Sequence, residues 1–266
     1  MKSEKIVKET NLEIPSIPNV SLVAFYGHKS PQLKELIQQL QREITSSLGG
    51  DSFIPYQLEQ VHATVIGCEG LKTQSGVINK WFCDRRQETR YIDFPGLINY
   101  LQHQVDLPLT IRFGGYDRDG EYNYFSRNEH LYYRSFQLQP AKEGVIPILI
   151  GWSWQDNRVT LGIDKLRRNF QQFNLLHKYH ETTDAIDNDF YLRLGTINCQ
   201  SRDSEIQAIA NNIRSLLETQ SPLSIPVKKN NLAFARYQDL SLTPTTTKII
   251  PIAQITANLL EEMYPV

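Results

Sequence analysis

The sequence has few of the features on which disulfide-rich, secreted and membrane-spanning proteins depend. It contains three cysteines among 266 residues, and no two of them form a Cys-x-x-Cys pair. Sparse, unpaired cysteines indicate a reducing compartment and argue against a disulfide framework. No stretch approaches the roughly 20 apolar residues of a membrane-spanning helix, and residues 1–20 lack the apolar core of a signal peptide. The sequence therefore predicts a soluble cytoplasmic protein with no membrane partner.

The chain also lacks a strong excess of charge of either sign. It has 28 Lys and Arg residues against 29 Asp and Glu residues, a formal net charge of −1. This balance argues against a general nucleic-acid coat or a membrane-surface protein, because both need a large positive field. A small basic groove inside a neutral protein is still compatible with it.

Hydrophobic periodicity divides the chain into alternating strands and helices. The clearest helix starts at Ser30-Pro31, an N-cap serine followed by a proline at the first helical position, and ends at Gly49-Gly50. Further helices are predicted over residues 93–105, 161–179, 203–219 and 255–263. Strands are predicted over residues 20–27, 58–67, 108–116, 132–139, 145–152, 189–197, 223–229, 231–237 and 245–252. The segment 81–90 carries charges of both signs and is expected to be an exposed loop.

The order of these elements runs β-α-β-α-β-β twice along the chain. The repeat predicts an α+β fold with two pseudo-symmetric βαβαββ lobes, whose mainly antiparallel sheets face a central groove. We expect a flexible N-terminal arm over residues 1–18, a first lobe over residues 19–140 and a second lobe over residues 141–266. The two lobes would form a single bilobal domain.

One stretch, 58-LEQVHATVIG-67, carries residues suited to catalysis. Residues i and i+2 of a strand point to the same face, so we expect His62 and Thr64 to project together. An imidazole transfers protons near neutral pH, and a threonine hydroxyl can hydrogen-bond a phosphate oxygen. The alternative is a core histidine with satisfied hydrogen bonds, since His-x-Thr occurs by chance in many strands.

The His-x-Thr motif and the repeated element order together resemble the 2H phosphoesterase superfamily, which includes RNA 2',3'-cyclic phosphodiesterases and bacterial RNA-end ligases. The resemblance covers roughly residues 20–240. It implies that each lobe supplies one His-x-Thr or His-x-Ser motif to the groove. The two histidines would act as acid and base on a phosphodiester and the hydroxyls would bind phosphate, with no metal and no other cofactor.

The second half of the chain departs from this pattern. Aligning 61-VHATVIG-67 with 190-FYLRLGT-196 places Tyr191 opposite His62 and Arg193 opposite Thr64. A tyrosine has a pKa near 10 and an arginine is always protonated. Tyr191 is therefore suited to donating a proton, and Arg193 to binding a phosphate through two hydrogen bonds.

Three interpretations of this departure stay open. The first is a one-histidine phosphodiesterase that acts on RNA 2',3'-cyclic phosphate ends or small nucleotides, with His62 as base. In the second, His177 or His180, from 175-LLHKYHETT-183, occupies the place of the missing histidine. In the third, catalysis is lost and the groove binds RNA, a nucleotide or a protein partner.

A second candidate group lies in 125-FSRNEHLYYRSF-136. Arg127 and Arg134 flank His130 and Tyr133, and arginines next to stackable rings suit phosphate and base recognition. An exposed hairpin loop whose rings cover a sheet edge would have the same composition.

Asp184, Asp187 and Asp189 form a short acidic run. The run lacks the turn glycine and the closing glutamate of a calcium loop. We therefore expect a solvated loop there and no metal site.

Overall fold

The computed structural model describes Ile14 and residues 19–48, 51–141, 144–198 and 203–265. The arm predicted over residues 1–18, apart from Ile14, and the Gly49-Gly50 pair lie outside the described residues. No helix in the described ranges is long and apolar enough to cross a membrane.

The strands and helices of the described chain follow in sequence order. The strands are β1 (Asn19–Ala24), β2 (Phe53–Pro55), β3 (Ala63–Gly67), β4 (Gly70–Thr73), β5 (Gly76–Asn79), β6 (Leu109–Phe113), β7 (Phe136–Ala141), β8 (Gly144–Gln155), β9 (Arg158–Val159), β10 (Phe190–Arg193), β11 (Gly195–Ile197), β12 (Leu223–Val227), β13 (Leu232–Tyr237) and β14 (Lys248–Pro251). The helices are α1 (Pro31–Leu48), α2 (Lys80–Arg86), α3 (Phe94–Asn99), α4 (Leu131–Arg134), α5 (Gly162–Asn169), α6 (Asp203–Thr219) and α7 (Ala257–Glu262). A π-helical turn, Tyr100–Gln104, follows α3, and a 3₁₀ turn, Phe170–Phe173, follows α5.

Two antiparallel sheets form most of the molecule, which confirms a mixed helix-and-strand fold with mainly antiparallel pairing. The smaller sheet has the order β14-β13-β1-β3. The larger has the order β12-β6-β8-β11-β2, and β7, β9 and β10 also pair with β8. Both sheets combine strands from residues 19–140 with strands from residues 141–266. The division into two lobes and their pseudo-symmetry stay predictions.

Helix α1 confirms the helix predicted after Ser30-Pro31. Its first turn is capped by Ser30, whose hydroxyl accepts a hydrogen bond from the Leu33 amide at 3.3 Å. Leu33, Ile37, Leu40 and Ile44 recur three or four residues apart and are all buried. At roughly 1.5–3 kcal/mol per buried side chain, this face stabilises the helix far more than its intrinsic propensity does.

Two predicted strands begin later than expected. The amides of Gln60 and Val61 donate to the Gln57 carbonyl, at 2.9 and 3.2 Å, and form a turn. The strand predicted over residues 58–67 therefore starts at Ala63, and His62 precedes it. The strand predicted over 132–139 starts at Phe136, because residues 131–134 form α4.

The segment 81–90, expected to be an exposed loop, begins as helix α2. The Asn79 side chain accepts a hydrogen bond from the Phe82 amide at 3.1 Å and caps the helix. Trp81 and Phe82 are buried. Asp84, Arg85 and Arg86 lie on the outer face of this helix, and its two aromatic residues are in the interior. Residues 87–90 follow the helix without forming helix or strand, and the first three are exposed, as expected.

Arg167 of α5 joins the two strands that carry the predicted motifs. It is 1% exposed, and it donates to the carbonyls of Val65 (2.8 Å) and Thr64 (3.3 Å) in β3. It also donates to the carbonyls of Asp187 (2.9 Å) and Asp189 (3.0 Å) and to the Asp187 carboxylate (3.1 Å). These bonds hold β3 beside the segment that leads into β10, and the two strands contact each other.

Candidate functional site

A cavity of about 210 Å³ lies where β3 and β10 meet. His62, Thr64, Tyr191 and Arg193, the four residues predicted to be catalytic, all line it. His177 lines it as well. Side chains from segments that are distant in the sequence are thus brought to one solvent-accessible space.

A larger cavity, of about 450 Å³, lies between β12 and the loop that contains His28 and Ser30. None of the predicted site residues lines it. In the described structure the predicted acid–base groups gather in the smaller cavity, so we place the candidate site there.

His62 is positioned with one ring nitrogen fixed and the other available. Its Nδ1 lies 2.7 Å from the Gln60 carbonyl oxygen. A carbonyl only accepts, so Nδ1 carries the proton and Nε2 the lone pair. Burial lowers the pKa of His62 to about 4, with further lowering by Arg193 and Lys29, despite the opposing effect of the Gln60 hydrogen bond. His62 is therefore neutral at pH 7, and Nε2 has no hydrogen-bond partner among the described residues.

Thr64 and Arg193 carry hydrogen-bond donors suited to an anion. The Thr64 hydroxyl forms no hydrogen bond with the described part of the chain, and its side chain lines the cavity. Arg193 donates from Nη1 to the Leu240 carbonyl at 3.1 Å. This bond orients the guanidinium and leaves its other donors for a ligand.

Tyr191 lies on β10, two residues before Arg193, and lines the same cavity. Burial raises the pKa of its hydroxyl above the usual value of 10, and nearby Tyr179 adds to this, while Arg193 opposes it. The hydroxyl is therefore protonated at neutral pH. It can donate a hydrogen bond or a proton and cannot act as a base.

The structure brings one of the two replacement histidines to the cavity. His177 lines it, and its Nε2 lies 2.7 Å from the Asp187 carboxylate. Burial lowers the pKa of His177 to about 4, with a further contribution from Arg167. His180 is fully buried outside the cavity lining, with Nε2 2.9 Å from Asp164.

The predicted phosphate-binding or nucleotide-binding residues Arg127, His130, Tyr133 and Arg134 do not line the cavity. Arg134 forms an ion pair with Asp189 at 2.7 Å. His130 caps α4 by accepting from the Tyr132 amide, and its Nε2 lies 2.8 Å from the Gly120 carbonyl. Arg127 contacts a residue of the lining, with its guanidinium 4.4 Å from the ring centroid of Tyr179. Ligand binding by these four residues stays a prediction.

Of the acidic run that we expected to be solvated, Asp184 is exposed, but Asp187 and Asp189 are buried. Asp187 pairs with Arg167 at 3.1 Å, and Asp189 accepts a hydrogen bond from Trp152 Nε1 at 2.8 Å. Although burial opposes it, Arg167 and His177 hold the pKa of Asp187 well below its usual range. The carboxylates are in the interior because arginines distant in the sequence neutralise them.

The sequence analysis missed several residues of the cavity, among them Glu69, Lys178 and Tyr179. Trp81 Nε1 donates to Glu69 Oε2 at 2.7 Å. Burial raises the pKa of Glu69, while the Trp81 hydrogen bond lowers it. Glu69 follows β3 by two residues, at an odd offset from Thr64, so strand alternation did not place the two side chains on one face. No motif marked it.

No family model matches the chain, and no curated protein matches it in sequence. Among solved structures, the crystal structure of TT0787 of Thermus thermophilus is similar to this fold, with a TM-score of 0.42 and 9% sequence identity. The similarity covers 87% of this chain and 93% of that chain. At this level it carries no functional argument, so the candidate site depends on its own geometry.

We expect the free energy of unfolding to fall as the pH drops from about 6.5 to about 4. Unfolded histidines take up a proton near pH 6.5, whereas His62 and His177 have a pKa of about 4 in the folded protein. Between these pH values the unfolded state therefore binds more protons than the folded state. The contribution of the two neutral histidines to stability is fully present above pH 6.5 and is lost as the pH falls towards 4. Urea unfolding at several pH values measures the slope.

His62→Gln should flatten this pH dependence, because it removes one of the two groups. His103→Gln, at an exposed histidine, is the matched control and should leave the slope unchanged. Equal slopes for wild type and His62→Gln would contradict the assignment of a buried neutral imidazole at position 62.

Proposed function

We propose that the cavity between β3 and β10 is the active site of a metal-independent phosphodiesterase of the 2H phosphoesterase type. Its substrates would be RNA 2',3'-cyclic phosphate ends or small cyclic nucleotides. The observation that carries the proposal is that a single cavity is lined by His62, Thr64, Tyr191 and Arg193. In this proposal β3 and β10 are the equivalent strands of two pseudo-symmetric lobes, and the protein is cytoplasmic.

The hydrolysis needs a base for water and a donor for the leaving oxygen. His62 Nε2 takes a proton from water as the water oxygen bonds to phosphorus. The bond from phosphorus to one ribose oxygen breaks, and that oxygen takes the proton of Tyr191. Thr64 and Arg193 bind the non-bridging phosphate oxygens and stabilise the charge of the transition state. Proton exchange with water afterwards restores His62 and Tyr191.

The low pKa of His62 is compatible with this role. Arg193 and Lys29 contribute to lowering it. A bound phosphodiester carries a negative charge, which offsets these cations and raises the pKa of the imidazole towards the working pH. The imidazole is therefore a stronger base with substrate present than in the free protein.

Tyr191 is a better candidate for the donor than His177. The His177 ring is 5% exposed, with Nε2 against Asp187 and Nδ1 buried without a partner in the described part of the chain. A ring held in this way orients its neighbours but does not reach a leaving group.

The second candidate function is a protein that binds a nucleotide, RNA or a protein partner in this cavity without catalysis, the silent-binding alternative. It is favoured by a different observation, since Tyr191 and Arg193 replace the histidine and hydroxyl that the second motif of the family carries.

The test is hydrolysis of a 2',3'-cyclic nucleotide in the presence of EDTA, followed by chromatography of the monophosphate product. We expect turnover by wild type, and a KM raised by about 10-fold or more in Arg193→Ala, because the charged hydrogen bonds to phosphate contribute about 1.5–3 kcal/mol. Arg236→Ala, on β13 and outside the cavity lining, is the matched control.

The two candidate functions give different results in this assay. Tight binding of the cyclic nucleotide that Arg193→Ala weakens, without any turnover by wild type, would favour the silent-binding alternative. Absence of both binding and turnover would overturn the assignment of the cavity as a nucleotide site.

A further inference from the structure

His62 and Glu69 lie on either side of strand β3 in the sequence. His62 immediately precedes β3 (Ala63–Gly67), and Glu69 follows that strand by two residues. Both line the same cavity. The extended backbone between Thr64 and Glu69 spans at most about 17 Å. The lining thus combines the proton-transferring and cationic groups His62 and Arg193 with a carboxylate, Glu69, whose charge Lys178 partly offsets.

The Glu69 carboxylate is held in place. Trp81 Nε1 donates to Oε2 at 2.7 Å, and Trp81 itself is 8% exposed in α2. The carboxylate lies against Gly67, where an added Cβ would overlap it. Oε1 accepts no hydrogen bond from another residue of the described chain. The carboxylate also accepts a hydrogen bond from its own backbone amide, so it is a fixed acceptor group in the cavity lining.

A carboxylate is the wrong group for binding phosphate, because like charges repel. In a phosphate site it is suited to a different part of the ligand, one that supplies N–H donors. A nucleotide whose phosphate is bound by His62 and Thr64 would present its base to Glu69. Tyr179, half-buried in the lining, has the Arg127 guanidinium over its ring at 4.4 Å, and the two together add an aromatic and cationic group beside the cavity.

The four bases differ in the donors that they present to a carboxylate. Guanine has two adjacent donors, the ring N1–H and the exocyclic amino group, which match the two oxygens of a carboxylate. Adenine and cytosine present an amino group next to an acceptor nitrogen, which repels a carboxylate oxygen, and uracil presents one N–H between two carbonyls. Only guanine satisfies both oxygens at once.

We propose that Glu69 is a specificity residue that reads the base of the bound nucleotide and selects guanine. The inference rests on the proposed function in one respect, since it takes the cavity as the nucleotide site. The inference narrows the proposed substrates to guanosine 2',3'-cyclic phosphate, either free or at the end of an RNA.

The experiment compares kcat/KM for the 2',3'-cyclic phosphates of guanosine, adenosine, cytidine and uridine. Wild type should favour guanosine by about 10-fold or more, because a matched bidentate pair is worth about 1–3 kcal/mol. Glu69→Gln replaces one acceptor oxygen by a donor amide. It should remove the preference for guanosine and raise kcat/KM for the adenosine and cytidine substrates, because the acceptor and donor of the amide match their amino group and acceptor nitrogen. Glu35→Gln, at an exposed position on α1, is the control.

Gly67→Ala is a second variant that keeps Glu69 but displaces its carboxylate, and it should also lose the guanosine preference. Circular dichroism verifies folding of both variants. Equal kcat/KM for the four substrates in wild type, or a preference that survives both substitutions, would overturn the role of Glu69 and leave the phosphodiesterase proposal intact.

If wild type shows no turnover, a binding measurement tests this inference separately from the proposed function. Calorimetry then compares the affinities for guanosine and adenosine 3'-monophosphates. Guanosine-selective binding that Glu69→Gln abolishes would support the base-reading role while the phosphodiesterase proposal fails. Equal or absent binding of the two nucleotides would overturn both.

Discussion

Replacement of His62 by glutamine is expected to lower kcat for a 2',3'-cyclic nucleotide by about 10²–10⁴-fold, the contribution typical of a positioned general base. Glutamine fills a similar volume but accepts no proton from water. Thr64 and Arg193 still line the cavity, so KM should stay within about 3-fold of wild type, as expected when only a transition-state interaction is lost.

The measurement is steady-state hydrolysis in EDTA, with product quantified by chromatography. His103→Gln, at an exposed histidine on the turn after α3, should retain wild-type kcat and is the matched control. Wild-type kcat in His62→Gln would refute the assignment of the base. A large rise in KM with little change in kcat would instead assign His62 to substrate binding.

Much of the scaffold could be predicted because its signals are local. The face of α1 is visible in the spacing of Leu33, Ile37, Leu40 and Ile44, which are buried as expected. Aligning the element order of the two halves predicted Tyr191 opposite His62, and both side chains line one cavity. The alignment used no knowledge of how the strands pair.

The pairing of the strands could not be predicted, because it depends on contacts between distant segments. β1 pairs with β13 and β3, which places strands from opposite ends of the chain in one sheet. The 12-residue β8 pairs with strands both before and after it along the chain. An alternating pattern indicates that a strand has a buried face but not which strand lies beside it.

The electrostatic part of the site was the least predictable. A run of aspartates and a charge-rich segment both suggest solvent exposure in the sequence. Asp187 is nevertheless buried against Arg167, and Trp81 holds Glu69 from inside α2. These charged residues are buried because an oppositely charged or hydrogen-bonding partner from a distant part of the chain contacts them. The local sequence does not indicate which residue that partner is.

Replacement of Arg167 by methionine is expected to cost about 3–5 kcal/mol of the free energy of unfolding, the range for breaking a buried ion pair. Methionine occupies similar space but leaves the buried Asp187 carboxylate without its closest arginine, Arg167, at 3.1 Å. The carbonyls of Thr64, Val65 and Asp189 also lose their donor. Urea unfolding followed by circular dichroism gives the difference.

Two further variants separate loss of charge pairing from loss of helix packing. Lys165→Met lies two residues away on the exposed face of α5 and should change stability by no more than about 0.5 kcal/mol. The double variant Arg167→Met/Asp187→Asn should recover part of the loss, because no unpaired charge remains buried. A loss in Arg167→Met as small as that in Lys165→Met would show that Arg167 does not hold β3 and β10 together.

The same guanidinium fixes β3 beside the segment leading into β10, so the cavity between these strands depends on it. We therefore expect the folded fraction of Arg167→Met to bind cyclic nucleotide more weakly than wild type.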